Sequence, residues 1–210
     1  MNKKFYIFFI CLVLVLIGAL ILFKGDKKEN AKNNENKNIN LLTGKHYVEI
    51  DIKRYGKIKL ELDADQAPIT VTNFINLVNN GFYDGLTFHR IIDGFMIQGG
   101  AFKEDGSVKQ SSNIKGEFLA NSVNNTIKHE RGVISMARGD DYNSASSQFF
   151  IVQQSSPHLD GYYAAFGHVI DGINVVDKIA KDAKPTDNNG SIKIQNRPVI
   201  DYIKVVKNEN

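Results

Sequence analysis

The 210-residue chain has one cysteine, no tryptophan and a net charge of only +3. A single Cys excludes a disulfide-stapled scaffold and any zinc module built from several cysteines. The small surplus of positive charge also sits in the wrong place for a nucleic-acid protein. Residues 1–43 carry seven Lys against three acidic side chains, whereas the remainder carries 19 basic against 20 acidic groups. The part with folding potential is therefore neutral, and nucleic-acid binders concentrate positive charge on their domains. Several chemical signatures are missing as well. There is no G-x-S-x-G elbow, no G-x-x-x-x-G-K-S/T phosphate loop and no H-E-x-x-H zinc helix. His129-Glu130 lacks a second His four residues on, and no bidentate Glu follows Asp140, Asp141 and Asn143 to complete a calcium loop. The glycines from Gly94 to Gly100 lead into no helical pattern, so they are not a dinucleotide fingerprint. Covalent catalysis, phosphoryl transfer and metal hydrolysis all lose ground, and no cofactor or metal is expected.

Residues 5–23 form an uncharged run of 19, preceded by Lys3-Lys4 and followed by Lys24. As a helix this run spans about 28 Å, close to the hydrocarbon thickness of a bilayer. A cleaved signal has a shorter apolar stretch ending in a small-x-small site; here Gly18 and Ala19 lie inside the run. Residues 1–23 therefore read as a membrane anchor, with a cleaved signal and a secreted product as the alternative. No small residue precedes Cys11 as a lipid-modification box requires, so Cys11 reads as a helix residue. Lys24, Lys27 and Lys28 match Lys3 and Lys4 across the run, and loop charge does not fix the orientation. A short basic start before an apolar run is the usual export pattern, which favours a domain outside the cytoplasm. Residues 24–43, rich in Lys, Asn and Glu, bury too little to order themselves and read as a flexible linker.

From residue 44 onward the pattern is that of a domain. Segments 47–52 and 57–62 alternate apolar and polar residues, the period of half-buried strands, with Arg54-Tyr55-Gly56 as the turn between them. Pro68 opens a helix whose stripe is Val71, Phe74, Leu77 and Val78 and which Gly81 stops. Further strands are predicted at 87–92, 95–98, 132–137, 148–153, 164–170 and 199–206. A second helix fits 173–181, capped by Asp171, with Ile173, Val176, Ile179 and Ala180 facing inward. Many short strands with two helices predict an all-β domain, a closed antiparallel barrel with the helices over its open ends.

One constellation is specific. The 18 residues YDGLTFHRIIDGFMIQGG at 83–100 closely resemble the signature of the cyclophilin family of peptidyl-prolyl cis-trans isomerases. ISMAR at 134–138 with NSASSQFFI at 143–151, and Leu159-Asp160-Gly161 with Phe166-Gly167, are similar to that family's second and third motifs, in the family's order. The resemblance covers residues 47–206 and implies that the closed antiparallel barrel is eight-stranded and capped by two helices. It also implies isomerase activity on X–Pro bonds in proline-containing peptides and unfolded or exported clients, by a monomer.

By the same resemblance Arg90, Gln98 and Phe95 are the catalytic positions. Arg90 would donate to the imide nitrogen, with Gln98 orienting it, while Phe95, Met96, Phe150 and Leu159 receive the proline ring. Gln148 and the backbone of Ala137-Arg138 would hold the peptide main chain. His89, beside Arg90, takes a structural or substrate-shaping role, since isomerisation abstracts no proton. His158 stands where many members carry Trp, and Tyr163 where many carry His; the first change implies weak cyclosporin binding. Without the ordered motifs, Phe95, Met96 and Phe150 would read as core residues and Arg90 as a surface ion-pair partner. Two other classes remain as alternatives, a proline-directed binding module or chaperone with incidental turnover and an unrelated ligand-binding barrel.

Overall fold

The computed structural model describes residues 40–207; the anchor at 1–23, Cys11 and the linker up to residue 39 lie outside them. The domain's contacts begin before residue 44. The Leu42 amide donates to Thr72 Oγ1 at 2.9 Å and the Leu42 side chain packs on the core.

Strand β1 (Lys45–Ile52) and β2 (Gly56–Asp63) pair antiparallel with Ile50 opposite Ile58. Val48, Ile50, Ile52, Ile58, Leu60 and Leu62 all point inward, as the alternation predicts. The turn places Arg54 at φ 68° and Gly56 at φ 110°. Helix α1 (Pro68–Asn79) buries Val71, Phe74, Ile75 and Val78. Its N-terminus has no local side-chain cap. Instead the buried carboxylate of Glu117, 47 residues downstream, accepts the amides of Ile69 and Thr70 at 3.0 and 2.7 Å. A negative group at that end satisfies orphan N–H donors and complements the helix dipole.

The remaining elements are β3 (Leu86–Ile92), β4 (Met96–Lys103), β5 (Val133–Met136), β6 (Phe149–Val152), β7 (Ala165–Asp171), α2 (Ile173–Asp182) and β8 (Ile200–Val206). Three short 3-10 helices, at Leu119–Asn121, Pro157–Leu159 and Ile194–Asn196, lie between them. The sequence pattern showed none of the three, because single turns carry no periodicity. Asp171 does not cap α2 as predicted. It is the last residue of β7, and Gly172 at φ 83° makes the turn into the helix. Val175, Val176, Ile179 and Ala180 form the buried face of α2, with Ile173 partly buried.

All eight strands join one antiparallel sheet in the order β3-β4-β6-β5-β7-β2-β1-β8. The expected closed barrel is corrected here to an open, curled sheet, because no ladder joins its end strands β3 and β8. Residues 184–199 bridge the gap instead. Ile91 N–H donates to Gly190 O at 2.8 Å, Ile192 N–H to His89 O at 2.9 Å and Phe88 N–H to Pro198 O at 2.9 Å. An irregular segment thus pairs with the backbone groups that a closing strand would have taken. The interior holds Phe74, Tyr83, Phe88, Phe149 and Phe166, with Phe74 edge-on to Phe149 at 5.6 Å.

Candidate active site

A β-bulge directs the central residue of the site. Phe88 on β3 faces Gly99 on β4, but the next pair is Arg90 with Gln98, so two steps on β3 match one on β4 and His89 is the extra residue. Regular alternation would put Arg90 on the same face as the buried Phe88. The bulge turns it to the outer face, and Ile91 returns to the core opposite Ile97. Gly99 is required here, since a Cβ on it would lie 2.7 Å from Thr87 O.

The shift aligns a row across four strands. Arg90 pairs with Gln98, Gln98 with Phe150 and Phe150 with Ser135. Beside this row Met96, Phe150, Val152, Val133, Leu159 and Ala165 form a second apolar cluster outside the main core, with Phe95, Ala137 and Tyr163 packed on it. The result is a cleft of about 240 Å³ lined by Arg90, Phe95, Met96, Gln98, Ala137, Arg138, Phe150, Leu159 and Tyr163. Its floor is apolar and two guanidinium groups stand on it.

Arg90 is tied at two corners. Nε donates to Asn189 O at 2.8 Å and Nη1 to Gln98 Oε1 at 3.1 Å. Among the described residues Nη2 has no acceptor and no carboxylate pairs with the group. Burial lowers its pKa from the usual value, but a guanidinium stays charged in a protein. Gln98 is fixed in turn, its Nε2 donating to Gln148 Oε1 at 3.1 Å. The Gln148 carbonyl accepts the Ala137 amide at 2.9 Å, which links the hydrogen-bonded chain to the opposite wall.

Of the twelve residues singled out in the sequence, nine line this cleft and two flank it. Gln148 flanks it through Gln98, and His158 stands exposed on the 3-10 helix Pro157–Leu159, its ring 5.5 Å from Phe95. Tyr163 meets Phe150 edge-on at 6.0 Å. His89 is the exception, and its place fits the structural one of the two roles expected for it. As the bulge residue it does not line the cleft; it packs 4.6 Å from the Phe102 ring, and its Nδ1 is buried without a partner. Burial, with Arg197 close by, holds its pKa down at about 4, so it is neutral at pH 7.

Two parts of the site were not read from the sequence. One is Asn189, which acts through its backbone carbonyl and so leaves no side-chain signal. Asp187 Oδ1 accepts the amides of Asn189 and Ser191, both at 3.0 Å, and sets that carbonyl in place. The other is a buried string beneath Phe150. The His129 ring stacks 6.0 Å from Phe150 at 16°, with Nδ1 3.0 Å from Asp160 Oδ1 and Nε2 3.0 Å from Ser135 Oγ. It fastens the Leu159–Asp160 rim to β5. Burial pulls the His129 pKa down against the opposing pull of Asp160. The partners of His129, 6 and 31 residues away, make no local pattern in the sequence.

The comparisons agree with this geometry. Residues 47–208 match the family model described as cyclophilin type peptidyl-prolyl cis-trans isomerase/CLD. Peptidyl-prolyl cis-trans isomerase A of Dickeya dadantii is 41% identical over 159 residues, covering 72% of this chain and 80% of that protein. Peptidyl-prolyl cis-trans isomerase B of Bacillus subtilis is 45% identical over 117 residues, covering 56% and 78%. A Cryptosporidium parvum cyclophilin crystallised in the presence of the dipeptide Ala-Pro superposes with a TM-score of 0.63 at 30% identity, covering 77% of this chain and 99% of that one. The fold, the ordered motifs and these likenesses agree, and the chain belongs to the cyclophilin-type peptidyl-prolyl cis-trans isomerase family.

Proposed function

We propose that this chain isomerises X–Pro bonds in exported proteins, working outside the cytoplasm from an N-terminal membrane anchor. Rotation about such a bond faces a barrier of about 18–20 kcal/mol, because amide resonance is lost at mid-turn. No bond is broken, so neither a nucleophile nor a proton acceptor has a part to play. As the amide twists, the nitrogen lone pair localises, and a fixed donor directed at it lowers the barrier most in a site sheltered from water.

Arg90 is that donor. Its charge is permanent, its planar fork is oriented by Asn189 and Gln98, and Nη2 is left over for the substrate. Phe95, Met96, Phe150 and Leu159 take the proline ring, Gln148 and the main chain of Ala137 and Arg138 hold the peptide, and His158 and Tyr163 shape the rim. The Ala-Pro dipeptide present with the Cryptosporidium parvum relative belongs to the same substrate class. The carrying observation is the doubly tethered Arg90 in a cleft of about 240 Å³ with an apolar floor. The anchor and export reading rests on the uncharged run at residues 5–23 and the basic residues before it.

Exchange NMR on an Ala-Pro peptide tests the chemistry. Arg90→Ala is expected to lower kcat/KM roughly 10²–10³-fold, the scale for one preorganised donor, with the fold kept. Unchanged turnover in a folded variant removes Arg90 from the mechanism. Peptide binding without turnover in the wild type supports a proline-directed binding module instead. Membrane fractionation of the full chain, with protease added from outside, tests the anchor and its orientation.

A further inference from the structure

Arg138 is the second guanidinium of the cleft, and its fixation is not explained by holding a peptide through the backbone. Nε donates to Tyr162 O at 3.0 Å and Nη1 to Gly139 O at 2.9 Å. The group lies 4.8 Å from the Tyr142 ring centroid, 4.7 Å from Tyr163 and 5.2 Å from Phe118. Rings and carbonyls hold the cation without neutralising it. Among the described residues no carboxylate lies within ion-pair distance of it, and Nη2 has no acceptor. Arg131 shows the usual alternative, a two-pronged pair with Asp177 at 2.7 and 2.6 Å. The acidic neighbours on the same loop are Asp140 and Asp141. Asp141 Oδ1 accepts the Asn143 amide at 2.7 Å, and neither carboxylate reaches the guanidinium.

We infer that Arg138 forms an anion subsite beside the proline cleft, which selects clients with a Glu or Asp side chain close to the proline. This rests on the isomerase reading and adds a substrate preference to it. A carboxylate arriving at Nη2 meets a planar donor already held by three rings and by the backbone carbonyls of Tyr162, Gly139 and Asp140. The entropy normally lost when a long side chain is immobilised has therefore been spent before binding. The selectivity is electrostatic, so salt weakens it.

The test uses the full chain in detergent and proline peptides that differ only as Glu, Gln or Lys, placed in turn at the two positions before and the one after proline. In at least one register kcat/KM for Glu is expected to exceed Gln by about 3–10-fold and Lys by more, the scale for a charge-assisted contact near the surface. The preference should shrink at 0.5 M salt. Arg138→Gln should bring the Glu-to-Gln ratio to near 1, and because the readout is a ratio within one protein, any general loss of activity cancels. A wild-type ratio near 1 in every register overturns the subsite, as does a ratio that survives Arg138→Gln. If that variant does not fold, the wild-type ratios and their salt response decide. If no peptide at all is turned over, the isomerase reading fails, and the same peptides titrated by NMR shift read the charge preference separately.

Discussion

At the cleft's rim, His158 sits on a single 3-10 turn with its ring 5.5 Å from Phe95, exposed on its outer side. An indole at this position would bury more area and offer a fixed N–H donor, whereas the imidazole of His158 is smaller and has less area to bury. Losing part of an aromatic contact and one donor costs about 1–3 kcal/mol, so cyclosporin should inhibit weakly. His158→Trp is expected to tighten inhibition tenfold to a hundredfold while Ala-Pro turnover stays within a few-fold. Titrating both forms with the drug in one assay decides this, and equal, tight inhibition would remove position 158 from control of drug binding. At this scale, nine of the twelve residues that the motif order points to line one cleft. The sequence left His89 between a structural and a substrate-shaping role, because adjacency to Arg90 says nothing about which way a bulge turns its neighbour. Asn189 was invisible because a backbone carbonyl is common to every residue.

Among the elements, the loop at residues 187–191 carries more than its size suggests. It presents Asn189 O to Arg90 and gives Gly190 O to the Ile91 amide. Gly190 adopts φ 85°, and a Cβ there would lie 2.6 Å from Ile91 O. Gly190→Ala should therefore combine left-handed strain with a backbone clash and cost roughly 1–3 kcal/mol of stability. It should also release one tether of Arg90, lowering kcat more than it raises KM. Thermal unfolding and steady-state kinetics on the same variant check both effects; unaltered kcat would show that Gln98 alone suffices. The eight strands and two helices were legible because alternation and a helical stripe survive in the sequence. This loop was not, because an Asx turn at Asp187 and a pairing with β3, about 100 residues earlier, have no period. The cap of α1 by Glu117 escaped for the same reason.

For the whole molecule, acid should act in two steps. His89 is held neutral by burial, with a folded pKa of about 4 against an ordinary 6.5, and burial lowers His129 as well. The unfolded chain binds protons on these groups first, so stability present above about pH 6.5 is lost as pH falls through 4. Glu49 follows. Burial alone would raise its carboxyl, but hydrogen bonds from Lys57, Lys204 and Tyr202 outweigh that and bring it to about 2. Its contribution is complete above about pH 4.5 and disappears towards 2. Tm measured from pH 8 to 2 should fall across both windows, and His89→Gln should flatten the upper one in part, leaving the share of His129. A flat wild-type Tm between pH 7 and 4 would mean that neither histidine is buried neutral. A second prediction concerns residues 44–210, which hold the motifs and nearly all of the core. That fragment should be soluble and turn over Ala-Pro peptides at the full-length rate, as purification without detergent and assay would reveal.

The segment at residues 184–199 has one more consequence. Proteins that handle incompletely folded chains are surrounded by unpaired strands, and a bare sheet edge is a template on which such strands add. Here the outer N–H groups at Phe88 and Ile91 of β3 are already bonded to Pro198 and Gly190 by a stretch too irregular to be extended. The cleft on the sheet's outer face is open to a peptide, but a strand approaching this edge at Phe88 or Ile91 meets hydrogen bonds already made. The sheet is thereby guarded against strand addition at these positions.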